Sequence, residues 1–193
     1  MLDDIMEFNI KPINIVFTLD ELRDYYQLLE NNFHHLRWNS DMAIDTIGYE
    51  EHKLKGCFGW GIQSNIPDLS EPCPPYNVHK DRTDNYIDTE LVFGFAKKIR
   101  DLYPWSRQLS IAGHPPGTII QMHTDSDNYF KIHIPIYSND NAYFLFEDEK
   151  YVMEPGKAYL VNTSRLHGTN NMGNTTRIHF FFKVPYEKIS SLT

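Results

Sequence analysis

Two stretches of the sequence decide the fold, Lys131-Ile132-His133-Ile134-Pro135-Ile136 and Arg177-Ile178-His179-Phe180-Phe181-Phe182. In each, a cation and a histidine share one face of an extended chain, and isoleucine or phenylalanine fills the other. The apolar faces are expected to back onto the core. A buried cation needs an anionic partner. The cationic faces therefore predict a bound carboxylate if they point into a barrel, and predict nothing if they are solvent-exposed edges.

The same period of two extends from about residue 106 to residue 184, where turn-forming segments such as His114-Pro115-Pro116-Gly117 and Glu154-Pro155-Gly156 separate short apolar runs. Eight strands are predicted, at residues 108–112, 118–122, 130–137, 142–146, 150–153, 157–162, 168–170 and 177–184. Short strands at this spacing favour a mainly β fold, a sandwich or barrel of which the jelly roll is one form.

The preceding half of the chain has a different pattern. Residues 18–32 begin with Thr18-Leu19-Asp20-Glu21, a capping-box sequence, and residues 88–102 repeat apolar side chains at helical spacing. Residues 56–76, rich in glycine and proline, are expected to form long loops. We therefore predict one domain over residues 1–193, in which helices and loops of residues 1–105 pack on one sheet of a β core at residues 106–184.

Composition excludes several classes of protein. The 193 residues contain 18 Lys and Arg against 26 Asp and Glu, a net charge of −8. This balance argues against a nucleic-acid coat or a basic membrane-surface protein, and no apolar run approaches a membrane span. The acidic N-terminus has no apolar segment of the secretory type, and the two cysteines suit a reducing compartment. We expect a cytoplasmic protein without nucleic-acid or membrane partners.

Two His-x-Asp triplets occur among the nine histidines, His79-Lys80-Asp81 and His123-Thr124-Asp125. Roughly one is expected by chance, and the first lies in the proline-rich region, where a solvated loop explains it. The second ends a predicted strand, so its two side chains project to the same side and can approach one metal. His167 from a later strand would complete a two-histidine, one-carboxylate face, which leaves positions open on Fe(II), as in oxygen-activating non-haem iron sites. Asp127 is a rival carboxylate that fits a turn better.

Taken together, the ordered motifs over about residues 106–184 resemble the aspartyl/asparaginyl β-hydroxylase family. They are Ser110-Ile111, His114-Pro115-Pro116-Gly117-Thr118, His123-Thr124-Asp125, Lys131-Ile132-His133, His167 and Arg177. The resemblance implies an Fe(II)- and 2-oxoglutarate-dependent dioxygenase on a double-stranded β-helix, the cupin-like jelly roll. It implies hydroxylation of an aspartyl or asparaginyl side chain or of a free amino acid, with succinate and CO2 as co-products.

The resemblance also implies residue roles. His123, Asp125 and His167 would hold the iron, and Arg177 would bind the distal carboxylate of 2-oxoglutarate. Further cosubstrate contacts would come from Ser110, Lys131 and His133. Members of the family commonly have arginine at the position of Lys131, and a lysine supplies a point charge instead of a planar fork.

Other interpretations remain open from the sequence. One is a cupin-like metal enzyme that does not use 2-oxoglutarate, and another is a non-catalytic jelly-roll module that binds an acidic ligand. His179 fits either a pocket or the core, His114 fits the turn that follows it, and Trp60 fits a packing role better than a substrate-covering loop. The substrate is expected to be a small-molecule amino acid or a peptide or protein side chain, and the sequence assigns no oligomeric state.

Overall fold

The computed structural model describes residues 7–40, 55–66, 68–73, 85–125 and 128–192. The strands are β1 Ile10–Ile13, β2 Trp38–Asn39, β3 Phe58–Gly61, β4 Gln63–Ser64, β5 Ile87–Asp88, β6 Arg107–His114, β7 Ile119–His123, β8 Tyr129–Tyr137, β9 Ala142–Phe146, β10 Glu149–Val152, β11 Ala158–Val161, β12 His167–Asn171 and β13 Arg177–Pro185. The helices are α1 Leu19–Asn32 and α2 Gly94–Leu102, with 3₁₀ segments at His34–Leu36 and Tyr186–Leu192.

Two antiparallel sheets form the β core. The large sheet has seven strands in the order β1-β11-β8-β13-β6-β3-β2, and the small sheet has four in the order β10-β9-β12-β7. Strands β4 and β5 pair separately. All eight predicted strands are present, and the mainly β jelly-roll prediction is confirmed. Strands β1, β2 and β3, from before residue 105, also join the large sheet.

The outer face of the large sheet is apolar and lies under the two helices. Ile132, Ile134, Phe180 and Phe182 are fully buried in one cluster with residues of α1 and α2. The ring of Phe95 on α2 meets that of Phe180 edge-on, with centroids 5.1 Å apart. The alternation in β8 and β13 thus buries one face against the helices, and the predicted packing of N-terminal helices on one sheet is confirmed. No helix in the described ranges has both the length and the apolarity needed to span a membrane.

The predicted capping box begins helix α1. The Glu21 N–H donates to Thr18 Oγ1 at 3.1 Å, and the Thr18 N–H donates to Glu21 Oε2 at 2.7 Å. Lys98 on α2 pairs with the same carboxylate at 2.9 Å, so this cap also joins the two helices.

Removing the cap is expected to weaken the fold measurably. Thr18→Ala leaves the Glu21 N–H without its side-chain acceptor, which typically costs about 1 kcal/mol. We expect a loss of this size in the free energy of unfolding in urea, and a Tm lower by about 2–4 °C. Thr18→Ser keeps the acceptor and should retain most of the stability. Equal stability of the alanine and serine variants would contradict this account.

Two secondary-structure predictions for the N-terminal half are wrong: the start of the second helix, and the assignment of residues 56–76 to loops alone. Helix α2 begins at Gly94, not at residue 88, because Phe93 is extended (φ −136°, ψ 175°) and Gly94 has φ +50°, which leaves no helical path through these residues. The segment assigned to loops contains β3, which pairs with β6. A Cβ at Gly59 would lie 1.8 Å from the Ile111 carbonyl oxygen, so this glycine permits close strand packing and does not mark a loop.

Candidate metal centre and its cavity

A cavity of about 220 Å³ lies between the inner faces of the two sheets. The faces of β8 and β13 opposite the apolar core line it with Lys131, His133, Arg177 and His179. The small sheet supplies the facing wall, and the rings of Phe144 on β9 and His133 on β8 meet across it at 5.0 Å. The cationic faces therefore point into the barrel and are not solvent-exposed edges.

Three metal-ligating side chains meet at one wall of this cavity. His123 ends β7 and His167 begins β12, and the two residues are direct partners in the antiparallel pair. Asp125 follows two residues after His123, where its N–H donates to the Thr163 carbonyl at 2.9 Å. One ligand atom from each of His123, Asp125 and His167 lies within 4.8 Å of the others. The strand pairing thus assembles the His-Asp-His triad from distant parts of the chain.

Both histidines of the triad are oriented by their Nδ1 atoms. His123 Nδ1 lies 2.8 Å from the Gln121 carbonyl oxygen, and His167 Nδ1 lies 2.9 Å from that of Arg165. A carbonyl only accepts hydrogen bonds, so each Nδ1 carries the proton and each Nε2 keeps a lone pair for a metal. Burial lowers the pKa of His167 to about 4, which keeps its ring neutral at neutral pH. The donor set fits a divalent transition metal such as Fe(II).

Lys131 pairs with the carboxylate of the triad. Its Nζ lies 2.7 Å from Asp125 Oδ2. Burial opposes ionisation of Asp125, but the Lys131 ammonium outweighs it and holds the pKa of the carboxyl below its ordinary value. Asp125 is therefore ionised at neutral pH, the state in which a carboxylate binds a metal. In the described structure Lys131 thus contacts the carboxylate of the triad, and its role as a cosubstrate contact stays a prediction.

Arg177 occupies the other end of the cavity and is 3 % exposed. Its Nε donates to His179 Nε2 at 3.0 Å, its Nη1 donates to His114 Nδ1 at 3.3 Å, and its guanidinium carbon lies 4.8 Å from the centre of the Phe144 ring. Burial lowers the pKa of Arg177 to about 9, which still leaves it charged at neutral pH. Within the described ranges no carboxylate pairs with it, so the cavity holds a cation that calls for an anionic ligand.

Polar atoms without partners confirm that the cavity suits a polar ligand. Gln108 Oε1, His133 Nδ1 and Thr169 Oγ1 line it, are shielded from solvent, and make no hydrogen bond with the described residues. Buried polar groups are nearly always hydrogen-bonded. A ligand with several oxygen atoms would satisfy them.

The histidines around Arg177 are buried in the neutral state. Burial and the Arg177 charge lower the pKa of His114 to about 3, and they hold the pKa of His179 well below its ordinary value. The unfolded chain takes up these protons near pH 6.5, whereas the folded protein does not. The stability from the neutral rings is therefore fully present above pH 6.5 and is lost as the pH falls below it.

We expect the ligand-free protein to be sensitive to acid. Between pH 6.5 and pH 5, each of these two histidines should cost about 2 kcal/mol of unfolding free energy. Urea unfolding at pH 7 and pH 5 measures the loss. His114→Gln, which cannot take up a proton, should lose about 2 kcal/mol less than the wild type over the same interval. An equal loss in the two proteins would contradict the assignment to His114.

The remaining predicted residues fall at different places. Ser110 is buried, but its Oγ donates to the Gln108 carbonyl oxygen at 3.1 Å and it is not among the cavity-lining residues. Its role toward a cosubstrate stays a prediction. His114 ends β6 and lines the cavity, so its assignment to the turn is wrong, and His179 takes the pocket position. Trp60 is fully buried and donates to the Phe33 carbonyl, a packing role. Asp127 and the triplet at residues 79–81 lie outside the described residues.

Sequence reasoning missed several residues of the wall, namely Gln108, Ile120, Phe144, Thr163 and Thr169. The position of Thr169 could have been predicted from the sequence, because it lies two residues after His167 on the same strand and so shares its face. No such signal exists in the sequence for Gln108. Its φ is 54°, and a glutamine does not indicate a left-handed backbone conformation.

Known proteins resemble this chain in sequence over one segment and in fold over most of its length. Residues 97–186 match the family described as Aspartyl/Asparaginyl beta-hydroxylase. No curated protein matches the sequence. The fold is similar to the viral collagen prolyl hydroxylase vCPH from Paramecium Bursaria Chlorella virus-1, solved with 2OG, at a TM-score of 0.51 and 9% identity over 92% of this chain and 95% of that one.

Two further solved structures are more distant. A 2OG-Fe(II) oxygenase family oxidoreductase from Burkholderia pseudomallei has a TM-score of 0.48 at 12% identity over 91% of this chain and 93% of that one. A cupin superfamily protein from Desulfitobacterium hafniense DCB-2 has a TM-score of 0.35 at 12% identity over 64% and 97%. At these identities the structural likeness concerns the fold alone.

The family match spans 90 of the 193 residues and includes the three residues of the His-Asp-His triad. The family match and the His-Asp-His triad together identify a non-haem iron, 2-oxoglutarate-dependent hydroxylase.

Proposed function

We propose that the protein hydroxylates an unactivated C–H bond of an aspartyl or asparaginyl side chain or of a free amino acid, and releases succinate and CO2. One observation carries the proposal. A metal-ligand triad and a buried arginine without a carboxylate partner in the described structure lie in one small cavity. A dicarboxylate can meet both, with one end at the metal and the other at the guanidinium.

The residues of the triad would hold the iron through the Nε2 atoms of His123 and His167 and a carboxylate oxygen of Asp125. Fe(II) bound there would supply oxygen activation coupled to oxidative decarboxylation of 2-oxoglutarate. The chain itself fixes the ligand geometry through the carbonyls of Gln121 and Arg165, which hold each imidazole in one tautomer.

Arg177 would bind the distal carboxylate of 2-oxoglutarate through two hydrogen bonds. His114 and His179 accept hydrogen bonds from the guanidinium and keep its plane in place. Because both rings are neutral, the charge of Arg177 is left for the ligand. The buried rings of Phe144 and Phe181 line the same cavity and exclude water from the reacting groups.

The test is succinate formation from 2-oxoglutarate by the purified protein with Fe(II), in the presence and absence of a panel of amino acids and of aspartyl and asparaginyl peptides. We expect Fe(II)-dependent turnover that rises with the true substrate. Metal retained without any 2-oxoglutarate consumption would instead support a cupin-like enzyme of another chemistry. Binding of 2-oxoglutarate without turnover by any member of the panel would support a binding module.

We further propose that the protein is cytoplasmic. Cys57 and Cys73 are both buried free thiols, which suits a reducing compartment. Cell fractionation tests this, and recovery of the protein from a secreted fraction would contradict it.

A further inference from the structure

Gln108 has an unusual backbone conformation for its residue type. Its φ is 54°, a left-handed value shared by Glu147 alone among the non-glycine residues in the described ranges. It lies where the pairing of β6 with β13 shifts register, between the partners Phe181↔Ser110 and Lys183↔Arg107. Such a bulge commonly places glycine at the left-handed position, because a Cβ there is strained. Strain of this kind persists where the surrounding structure imposes it, often at a functional site.

Neighbouring side chains hold the bulge from both sides. Ser110 Oγ donates to the Gln108 carbonyl oxygen at 3.1 Å, and the Leu109 N–H donates to Gln63 Oε1 at 3.2 Å. Gln63 is fixed in turn by Asp88, to which its Nε2 donates at 2.7 Å. These side-chain hydrogen bonds therefore hold Gln108 in the strained conformation.

The conformation presents the Gln108 carboxamide to the cavity. The side chain lines the cavity and the residue is 6 % exposed, yet Oε1 has no hydrogen-bond partner in the described structure. No other described contact explains why a buried amide is held there. A buried carboxamide with an unsatisfied oxygen costs free energy, so this atom points to a ligand that donates a hydrogen bond.

Strand register places Gln108 at the end of the cavity opposite Arg177. On β13, Arg177 pairs with His114 at one end of β6. Lys183 lies further along β13 and pairs with Arg107 on β6 and with Lys131 on β8. Gln108 follows Arg107 and so lies near the level of Lys131, whose ammonium contacts the metal ligand Asp125. An anion that extends from Arg177 toward the metal leaves this region for the second substrate.

We propose that Gln108 binds the primary substrate, and that the group it recognises is a neutral amide, with an N–H for Oε1 and a carbonyl for Nε2. This inference rests on the proposed function. A carboxamide and an amide pair through two complementary hydrogen bonds, whereas a lone carboxylate leaves Oε1 unsatisfied. An ammonium donor is disfavoured because the Lys131 ammonium lines the cavity at the same level of the sheet. The amide belongs either to a peptide main chain or to a side-chain carboxamide.

The experiment compares Gln108→Gly with Glu147→Gly. Glycine removes the left-handed strain at both positions, but Glu147 is exposed in the β9–β10 turn and lies outside the cavity. We expect either variant to keep its Tm or gain about 2 °C. Gln108→Asn provides a second folded variant, because asparagine adopts the left-handed backbone region readily. Its side chain is one methylene shorter, so the carboxamide no longer reaches as far into the cavity.

Binding is measured by anaerobic calorimetry, so that no turnover occurs. Each protein is first titrated with Fe(II) and 2-oxoglutarate, and then with N-acetyl-L-asparagine methylamide, N-acetyl-L-aspartate methylamide or free L-asparagine. We expect the wild type to bind an amide probe more tightly than free asparagine. Gln108→Gly should raise the Kd of that probe about tenfold, and Glu147→Gly should leave it unchanged. If Gln108→Gly raises the Kd of both amide probes, the recognised group is a main-chain amide. If it raises the Kd of the asparagine probe alone, the recognised group is a side-chain carboxamide.

The outcomes separate this inference from the proposed function. Absence of 2-oxoglutarate binding by the wild type would overturn the proposed function and this inference with it. Normal 2-oxoglutarate binding with no affinity for either amide probe, or with equal affinity in wild type and Gln108→Gly, would overturn the inference alone. A similar loss in Glu147→Gly would also overturn it, because the effect would then follow from the backbone and not from the carboxamide.

Discussion

Replacing His123 with alanine is expected to abolish Fe(II)-dependent turnover of 2-oxoglutarate, with a loss on the order of 10³-fold or more. The imidazole is one of three candidate ligands, which offer one ligand atom each within 4.8 Å of the others. Removing it leaves one histidine and one carboxylate, too few to hold iron firmly with its open positions in a defined geometry. The structure offers no substitute ligand at this position in the described ranges, since the ring that faces His123, at 4.4 Å, is that of His167 itself.

The measurement combines succinate formation with the iron content of the dialysed protein. His35→Ala is the matched control, because His35 is exposed beyond helix α1 and does not line the cavity. We expect the control to keep the iron content and activity of the wild type, and His123→Ala to lose both. Iron retention and turnover at the wild-type level in His123→Ala would exclude this residue as a ligand.

Replacing Arg177 with methionine is expected to separate stability from cosubstrate binding. The KM for 2-oxoglutarate should rise about 10²-fold or more, because the buried guanidinium is the cation placed to bind the distal carboxylate. The Tm of the ligand-free protein should change little, because removing a desolvated charge that has no carboxylate partner in the described structure offsets the loss of its hydrogen bonds to His114 and His179. An ordinary structural arginine would show the opposite pattern, a lower Tm with little change in KM.

Arg23→Met on helix α1 is the matched control for the change of side chain. Arg23 lies on the helix layer, where its guanidinium is 5.1 Å from the centre of the Tyr137 ring, and it does not line the cavity. We expect it to leave the KM for 2-oxoglutarate unchanged. An unchanged KM in Arg177→Met would remove the carboxylate-binding role from Arg177.

The predicted strands correspond closely to the observed ones because one physical rule governs them. Along β8 and β13 one face packs under helices and the other lines a polar cavity, so the alternation in the sequence is strong. The capping box at Thr18 is local in the same sense, since its two hydrogen bonds join residues three apart. Prediction failed where long-range packing decides the backbone, as at Gly59, which lies against the Ile111 carbonyl, and at Gly94, whose φ is positive.

By itself, the sequence determined the faces of the strands, the order of the His-Asp-His motif and the presence of a cation and a histidine on one face of β13. Only the tertiary structure decided which faces meet. Side-chain direction along a strand follows from covalent geometry, but register between strands depends on the packing of the whole sheet. That packing pairs His123 with His167 and forms the bulge that presents Gln108 to the cavity. It also places His114, which was predicted to lie in a turn, next to Arg177.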